Sequence, residues 1–562
     1  MFFKLKNLIS FSLLFATLAV FASCGGGSGD EDDGTVTYTG DKTPGDYTWT
    51  IMVYLDGDNN LEEAALVDIN EMELVSLTDE GVNVIVLVDR HSSYSTADGD
   101  WEGTRLYHIT QDSNTSTINS TRLADSTYLH LTDTGDNEEL NMGDPDTVTD
   151  FIDFCKTNYS ADKYAFIFWN HGGGWRSAAS LSKSTITSKK IPGSGTINKA
   201  VCWDETSSNN CLYMSEVQSA INGKGINVLG FDACLMSMVE VMYQLKDTGP
   251  SHVIASSATE PGSGWVYNRF LHQVINLTDN SELNVSKCAV DAYIDYTSVD
   301  EITLSVIELS KISILASAIN TFATNLINAD AHDDICDARY TTLSYSGEPF
   351  IDIYHFADKF TGSVGGAATV VATVNSAVVY HRDRGYTDAH GLSIYFPVYS
   401  TMDSEYTCYT SAYIDFPGAV QWDEFLADYY SDVTVYTIET FPNGGAGSSN
   451  TDTYIEIYSS DGTYIAANDD IDYDGGDYFS KLTLPLASGS TYYIRSIDAW
   501  GYTGPYSILF NIGGTGSSAG TPATSAYESN NTVATATTLP YNTVQDHYLT
   551  SGDIDILEIT SP

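Results

Sequence analysis

The chain has 562 residues, too many for one ordinary hydrophobic core, so about two to four domains are expected. A hydrophobic content of 42% and an aromatic content of 12% exclude a disordered polymer. Acids outnumber bases 75 to 24, a formal charge of -51; this excludes nucleic acid as a partner and leaves cationic peptides and calcium as the species the surface attracts.

In chain order, Lys4 and Lys6 precede the mostly apolar run 8-LISFSLLFATLAVFAS-23. This predicts a signal peptide over residues 1–23, too short for a comfortable membrane span. Cys24 directly follows the small residues Ala22 and Ser23, with Phe21 where Leu is usual. The pattern resembles a bacterial lipobox. It implies lipidation of Cys24 and a place in the bacterial cell envelope, outside the cytoplasm, attached to the membrane through an N-terminal lipid. The stretch 25-GGGSGDEDDG-34 reads as part of a flexible acidic tether over 24–47. No later segment is long and apolar enough to span a bilayer. Of the eight cysteines, Cys202 and Cys211 are close enough to close a small loop, but the sequence leaves the pairing open.

Residues 48–430 alternate apolar strands with amphipathic helices. Strands are predicted at 50–56, 82–89, 164–171, 226–232 and 252–258, and helices at 59–77, 144–159, 215–222 and 236–246. Strands this apolar imply a largely parallel sheet with helices on both faces, whose function gathers at the carboxyl ends of the strands. After residue 430 the helical pattern stops. Residues 431–513 carry short alternating runs such as DTYIEIYSSDG and STYYIRSI, which read as an all-β sandwich. Residues 514–562 read as a linker and a partial β segment, too short for a sandwich alone.

Two strand ends hold the distinctive chemistry. In 169-WNHGGGW-175 a His closes a buried strand and three glycines follow; in 228-VLGFDACLMSM-238 an acid and a thiol close another. In one parallel sheet, His171 and Cys234 fall on the same edge. His171 can then take the thiol proton, and the N–H groups of Gly172 and Cys234 can receive a tetrahedral oxyanion. Dyad and glycines describe acyl transfer by a cysteine nucleophile, with no cofactor needed for the chemistry. Asp232 has two readings: a helix cap, or an acid beside the reacting centre that binds a cationic side chain.

These motifs resemble the paired signatures of the clostripain family of cysteine peptidases. WTIMVYLDGDNNLEEAALVDINEME (49–73), ASSATEPGSGW (255–265), HGLSIYFP (390–397) and WDEFL (422–426) extend the resemblance over 48–430. It implies a caspase-like α/β fold and cleavage of peptide or protein substrates after Arg or Lys. It carries over His171 as base, Cys234 as nucleophile and Asp232 as an acid of the pocket for the residue before the cut. The resemblance also leads one to expect acids near Ser263 and Val266, where this chain has none.

Family members are often zymogens cut in the loop after the His strand. Here 176-RSAASLSKSTITSKKIPGSGTINK-199 holds five of the 24 basic residues, so self-cleavage after Lys189 or Lys190 is expected. Residues 452–496 resemble the bacterial pre-peptidase C-terminal domain, a β-sandwich. Its run 468-NDDIDYDGGD-477 offers Asp469, Asp470, Asp472 and Asp474 as ligands for a structural calcium ion. The sequence leaves one alternative to an enzyme: an inactive peptidase-like surface protein that binds through its sandwich.

Overall fold

The computed structural model describes residues 47–77, 80–135, 138–175, 201–329, 331–345, 349–397, 409–410, 414–432, 434–442, 452–468, 479–498, 504–512, 532–549 and 554–562. The signal peptide, Cys24 and its tether, the loop with Lys189 and Lys190, and Asp469, Asp470, Asp472 and Asp474 lie outside the described residues.

The strands that matter for the site are β1 (Trp49–Gly57), β2 (Val82–Arg90), β3 (Gly103–His108), β4 (Thr121–Arg122), β5 (Lys163–Trp169), β6 (Val201–Asp204), β7 (Asn210–Leu212), β8 (Val228–Asp232), β9 (His252–Ala255) and β10 (Ile302–Glu308). With β11 (Ser344–Tyr345), β12 (Phe350–Asp352), β13 (Val378–Arg384) and β14 (Ser393–Tyr395), they complete the α/β region. The main sheet runs β13-β10-β9-β8-β5-β1-β2-β3-β4. Its centre, β9-β8-β5-β1-β2, is parallel. Both flanks are antiparallel, which the sequence reading did not separate from the parallel core.

Alternation along the strands sorts two cores. Met52, Tyr54, Phe166, Phe168, Leu229 and Phe231 face one layer. Ile51, Val53, Leu55, Ala165, Ile167 and Trp169 face the other. On the second face lie α1 (Glu62–Glu73), α5 (Tyr267–Ile275) and α6 (Glu282–Tyr296); on the first lie α2 (Pro145–Asn158), α3 (Met214–Ile221), α4 (Val239–Leu245) and α7 (Ile312–Ile327). The start of α2 follows local chemistry: the Asp144 side chain accepts from Asp146 N at 2.9 Å and Pro145 fills the first helical position, where no N–H is needed. Among the described residues no helix is long and apolar enough to cross a membrane. Cys155, Cys202, Cys234, Cys288 and Cys336 form no disulfide, so the Cys202–Cys211 loop is not closed by one.

One buried acid pins the layer beneath β14. Glu240 of α4 accepts from Tyr395 N at 2.9 Å and from the Tyr409 hydroxyl at 3.0 Å, through one oxygen only. Its other oxygen has no partner, and burial pushes its carboxyl up to about 7. A carboxyl raised in the folded state stabilises below its ordinary pKa, and that contribution is lost as pH rises through the folded value. Glu240→Gln is therefore expected to stabilise the protein by about 2 kcal/mol near about pH 8 and by almost nothing near about pH 5. Urea unfolding at the two pH values checks this, and an equal effect at both contradicts it.

Beyond α8 (His332–Thr341), α9 (Ile353–Asp358), α10 (Ala367–Ala377) and α11 (Trp422–Asp432), two sheets form the expected β-sandwich. The first contains β15 (Val435–Pro442), β18 (Lys481–Pro485), β20 (Gly504–Ile512) and β22 (Val544–Leu549). The second contains β16 (Thr453–Ser459), β17 (Tyr464–Asn468), β19 (Thr491–Asp498), β21 (Thr537–Thr538) and β23 (Ile554–Thr560). Ile438 and Phe510 from one sheet and Ile455, Ile494 and Leu557 from the other share a core. The segment after residue 513 thus supplies strands to both sheets. The sandwich rests on α8, where the Tyr340 hydroxyl donates to Pro485 O at 2.5 Å and Ser488 N donates to Asp333 at 2.9 Å.

Candidate active site

The two distinctive strand ends are neighbours. Trp169 of β5 pairs with Asp232 of β8, and Asn170 N donates to Asp232 O at 3.3 Å beyond the last rung. His171 and Cys234 each stand two residues past that pair, on the carboxyl edge of the parallel core. A Cβ at Gly172 would lie 2.2 Å from Cys234 O and 2.8 Å from Cys234 N, so only glycine permits this approach. The strand predicted to reach His171 stops at Trp169, and the helix predicted from 236 starts at Val239. Cys234 therefore sits on an irregular turn. Leu235 takes φ 64°, a left-handed conformation that costs a side chain strain and is concentrated at functional turns.

The sulfur is ringed by amides. Glu260 N lies 3.2 Å from Sγ, and the thiol faces Glu260 O at 3.7 Å. Burial raises the Cys234 thiol and the charge of Asp232 raises it further, while the N–H groups of Glu260, Gly172 and Cys234 pull it down. His171 is half-buried, and burial pushes its imidazole down to about 4, so it is neutral near pH 7. Its Nε2 lies 2.8 Å from Asn60 Oδ1. An amide oxygen there places the proton on Nε2 and leaves Nδ1 as the basic nitrogen. Asn60 ends the turn after β1, which is fixed by Asn59 Nδ2 donating to Trp203 O at 2.9 Å and by Asn170 Nδ2 donating to Asp56 Oδ2 at 2.6 Å.

Acids collect beside the thiol. Asp232 is buried, and both its oxygens accept from Trp265 N at 3.2 Å. Gly264, at φ 54°, brings its backbone against the same carboxylate, leaving no room for a Cβ. Burial pushes Asp232 up to about 6. Glu260 adjoins it, raised by burial and then by the charges of Asp232 and Cys234. Neither buried oxygen of Glu260 has a hydrogen-bond partner of good geometry. Asp68 of α1 holds Trp169 Nε1 at 2.7 Å and is raised by burial and by Asp232. Among the described residues no Lys or Arg forms an ion pair with Asp68, Asp232 or Glu260.

A model of the clostripain family matches residues 53–429. This chain belongs to the clostripain family. As such it is a cysteine peptidase. It is 30% identical over 428 residues to the clostripain of Hathewaya histolytica, covering 65% of this chain and 77% of that one. Among solved structures it is similar to a secreted C11 cysteine protease of Bacteroides thetaiotaomicron in complex with an irreversible peptide inhibitor, at 20% identity and a TM-score of 0.47, covering 67% and 99% of the two chains. It is also similar to an inactive zymogen C11 protease of Parabacteroides distasonis, at 18% identity and a TM-score of 0.49, covering 68% and 100%.

In this clostripain-family chain the structure brings His171, Gly172, Asp232 and Cys234 to one sheet edge. No acid stands at Ser263 or Val266; the carboxyls that adjoin Asp232 are those of Glu260 and of Asp68 of α1. Sequence reasoning missed Asp68 and Asn60. Asp68 had a signal: it falls among Ala65, Leu66, Ile69 and Met72 on the buried face of α1, where an acid is out of place. Asn60 had one in the polar run DGDNN that closes β1, a strand of the parallel core.

Proposed function

We propose that this peptidase is an endopeptidase that cuts after Arg or Lys, using Cys234 as nucleophile and His171 as base. The observation that carries the reading is the Asp232–Glu260 carboxyl pair buried beside the sulfur, with no basic side chain among the described residues paired to it. A substrate guanidinium or ammonium is the cation that such a pair accepts. The thiol proton passes to His171 as the S–C bond forms. The oxyanion accepts hydrogen bonds from the amide N–H groups of Gly172 and Cys234. The C–N bond then breaks, and His171 returns the proton to the leaving amine. Water hydrolyses the thioester to a free carboxylate, again through His171.

Two further proposals complete the reading. Cys24 carries a lipid, which holds the enzyme in the cell envelope; the small residues before it support this. The enzyme is made as one chain and cuts itself after Lys189 or Lys190. The Gly172–Val201 bridge supports this, because it brings both ends of the 176–199 loop to the site. After such a cut, β5 and β8 still hold the two pieces together through five paired positions. The test is hydrolysis of fluorogenic peptides ending in Arg, Lys and Ala under reducing conditions. The Arg or Lys peptides are expected to exceed Ala by about 100-fold or more in kcat/KM. Equal rates for all three remove the proposed specificity.

A further inference from the structure

The sandwich carries an aromatic face that neither the catalytic chemistry nor the core uses. In its second sheet, alternation sends Ile455, Ile457, Ile494 and Leu557 into the shared core. The residues between them face outward. Register then sets Tyr464 of β17, Tyr458 of β16 and Tyr493 of β19 side by side on three neighbouring strands. Tyr464 is 48% exposed, and Tyr458 and Tyr493 are half-buried. One row along, Glu456 stands opposite Arg495, and beyond it Tyr454 stands opposite Ile497. The Tyr458 hydroxyl donates to Glu456 Oε2 at 2.8 Å, and Arg495 Nη1 donates to the same oxygen at 2.5 Å. A hydroxyl tied to the residue two positions back lays the Tyr458 ring along its strand. The Tyr464 ring stands at 75° to it, with 5.8 Å between centroids. The outer face of the first sheet is built differently. There Thr437 stands opposite Thr483 and Asn511, Glu439 opposite Lys481, and Ser507 opposite Asp546. A row of tyrosines is therefore not what the outside of this sandwich needs in order to fold.

We propose that this tyrosine face binds a neutral polysaccharide. Aromatic rings gathered on one exposed face mark a binding surface. A ring with a hydroxyl suits a partner that is apolar on its flats and polar at its edges. A sugar ring is such a partner: C–H groups cover its faces and hydroxyls its rim. Each sugar hydroxyl both donates and accepts, so it can join the Glu456–Arg495 bond from either side. Neighbouring strands stand about 4.8 Å apart, close to the length of one sugar unit along a chain, so the tyrosines can meet successive units. Charge narrows the partner further. The chain has a formal charge of -51, which repels anionic polymers. On the face itself Arg495 is already held by Glu456, so it is not offered to an anion. Glu456 and Glu558 are in turn engaged by Arg495, Tyr458 and Tyr493, which leaves little for a cationic peptide. A neutral chain meets neither obstacle. The sandwich rests on α8, so binding there holds the peptidase on a glycan without filling its catalytic edge. None of this depends on the specificity or the catalytic roles proposed above.

Native affinity electrophoresis of the full chain, carrying Cys234→Ala to keep it intact, tests the face without using activity. The gels contain amylose, laminarin, galactomannan or xylan, all neutral, or polygalacturonate, which is anionic. At least one neutral polymer is expected to retard the chain, and polygalacturonate is not. Calorimetric titration with oligosaccharides of the retarding polymer then gives Kd. Tyr458→Ala and Tyr464→Ala are each expected to weaken binding by at least about 10-fold. Tyr464→Phe keeps it within about 3-fold, because the ring face remains. Tyr296→Ala, which removes a tyrosine of the peptidase that is 50% exposed, leaves binding unchanged. Tyr464→Ala shifts Tm by less than about 2 °C, as a surface substitution should, which keeps a folding defect from passing as lost binding. No retardation by any neutral polymer overturns the proposal. So does binding that neither alanine variant weakens, which puts the sugar elsewhere, and so does retardation by polygalacturonate alone. Self-association in sedimentation that Tyr464→Ala abolishes, with no polysaccharide bound, makes the face a contact between copies of the chain and overturns it too.

Discussion

Cys234→Ala lowers kcat/KM for an Arg-ended peptide by at least about 10⁴-fold and leaves the fold intact. The size follows from what the sulfur does in the proposed reaction: without it no acyl bond forms, and the amides that face it have nothing to stabilise. The small structural effect follows from the position. Cys234 lies on the turn beyond β8 rather than inside a core, and its backbone, against which Gly172 packs, is unchanged by the substitution. His171→Ala is expected to cost about 10²–10⁴-fold, since a base can be partly replaced by water and a nucleophile cannot. The same Cys234→Ala protein reports on processing. If maturation is self-inflicted, it stays one chain on a denaturing gel while the parent becomes two. Turnover within about 10-fold of the parent removes Cys234 from the chemistry, and a parent that is fully active as one intact chain removes the processing proposal.

Glu260→Gln separates selectivity from stability. It is expected to lower kcat/KM for Arg peptides by about 10²-fold while changing Ala peptides by less than about 2-fold, because only the cationic side chain uses the carboxylate. The parent's preference for Arg over Ala should grow as pH rises through about 6, where Asp232 ionises, and shrink below it. Stability runs the other way. The Glu260 carboxyl is raised in the folded state, so its protonated form stabilises at low pH and that contribution is lost as pH rises through the folded value. Gln suffers no such loss, and the variant should have the higher Tm near about pH 8 and an unchanged one near about pH 5. Equal losses on Arg and Ala peptides mean that Glu260 only shapes the turn around Cys234.

The central strands and the dyad edge were readable because each is local. β1, β2, β5 and β8 are uninterrupted apolar runs, and a polar cluster at the end of such a run marks the working edge. Glu260, Asp68 and Asn60 come from three other elements, and only the closed sheet puts them around His171 and Cys234. The antiparallel flanks were also hidden, since β10 looks as apolar as the parallel strands and β13, VVYHRDR, is too polar to read as one of them. The resemblance led to acids at Ser263 and Val266. The fold has no acid there, and instead sets Glu260 beside the thiol and Asp68 of α1 beside Asp232, which spacing along one segment cannot reveal.

The sandwich closes late. β23 (Ile554–Thr560) joins β19 along seven paired positions, and β22 covers the outer edge of β20. The main sheet of the peptidase is complete once β13 (Val378–Arg384) exists. During vectorial synthesis, therefore, the catalytic half can fold while β19 and β20 still show unpaired backbone. Bare strand edges of that kind recruit other chains. The last strands act as a zip fastener on the clock of synthesis: until they emerge, the peptidase half can be folded while the sandwich is open to aggregation.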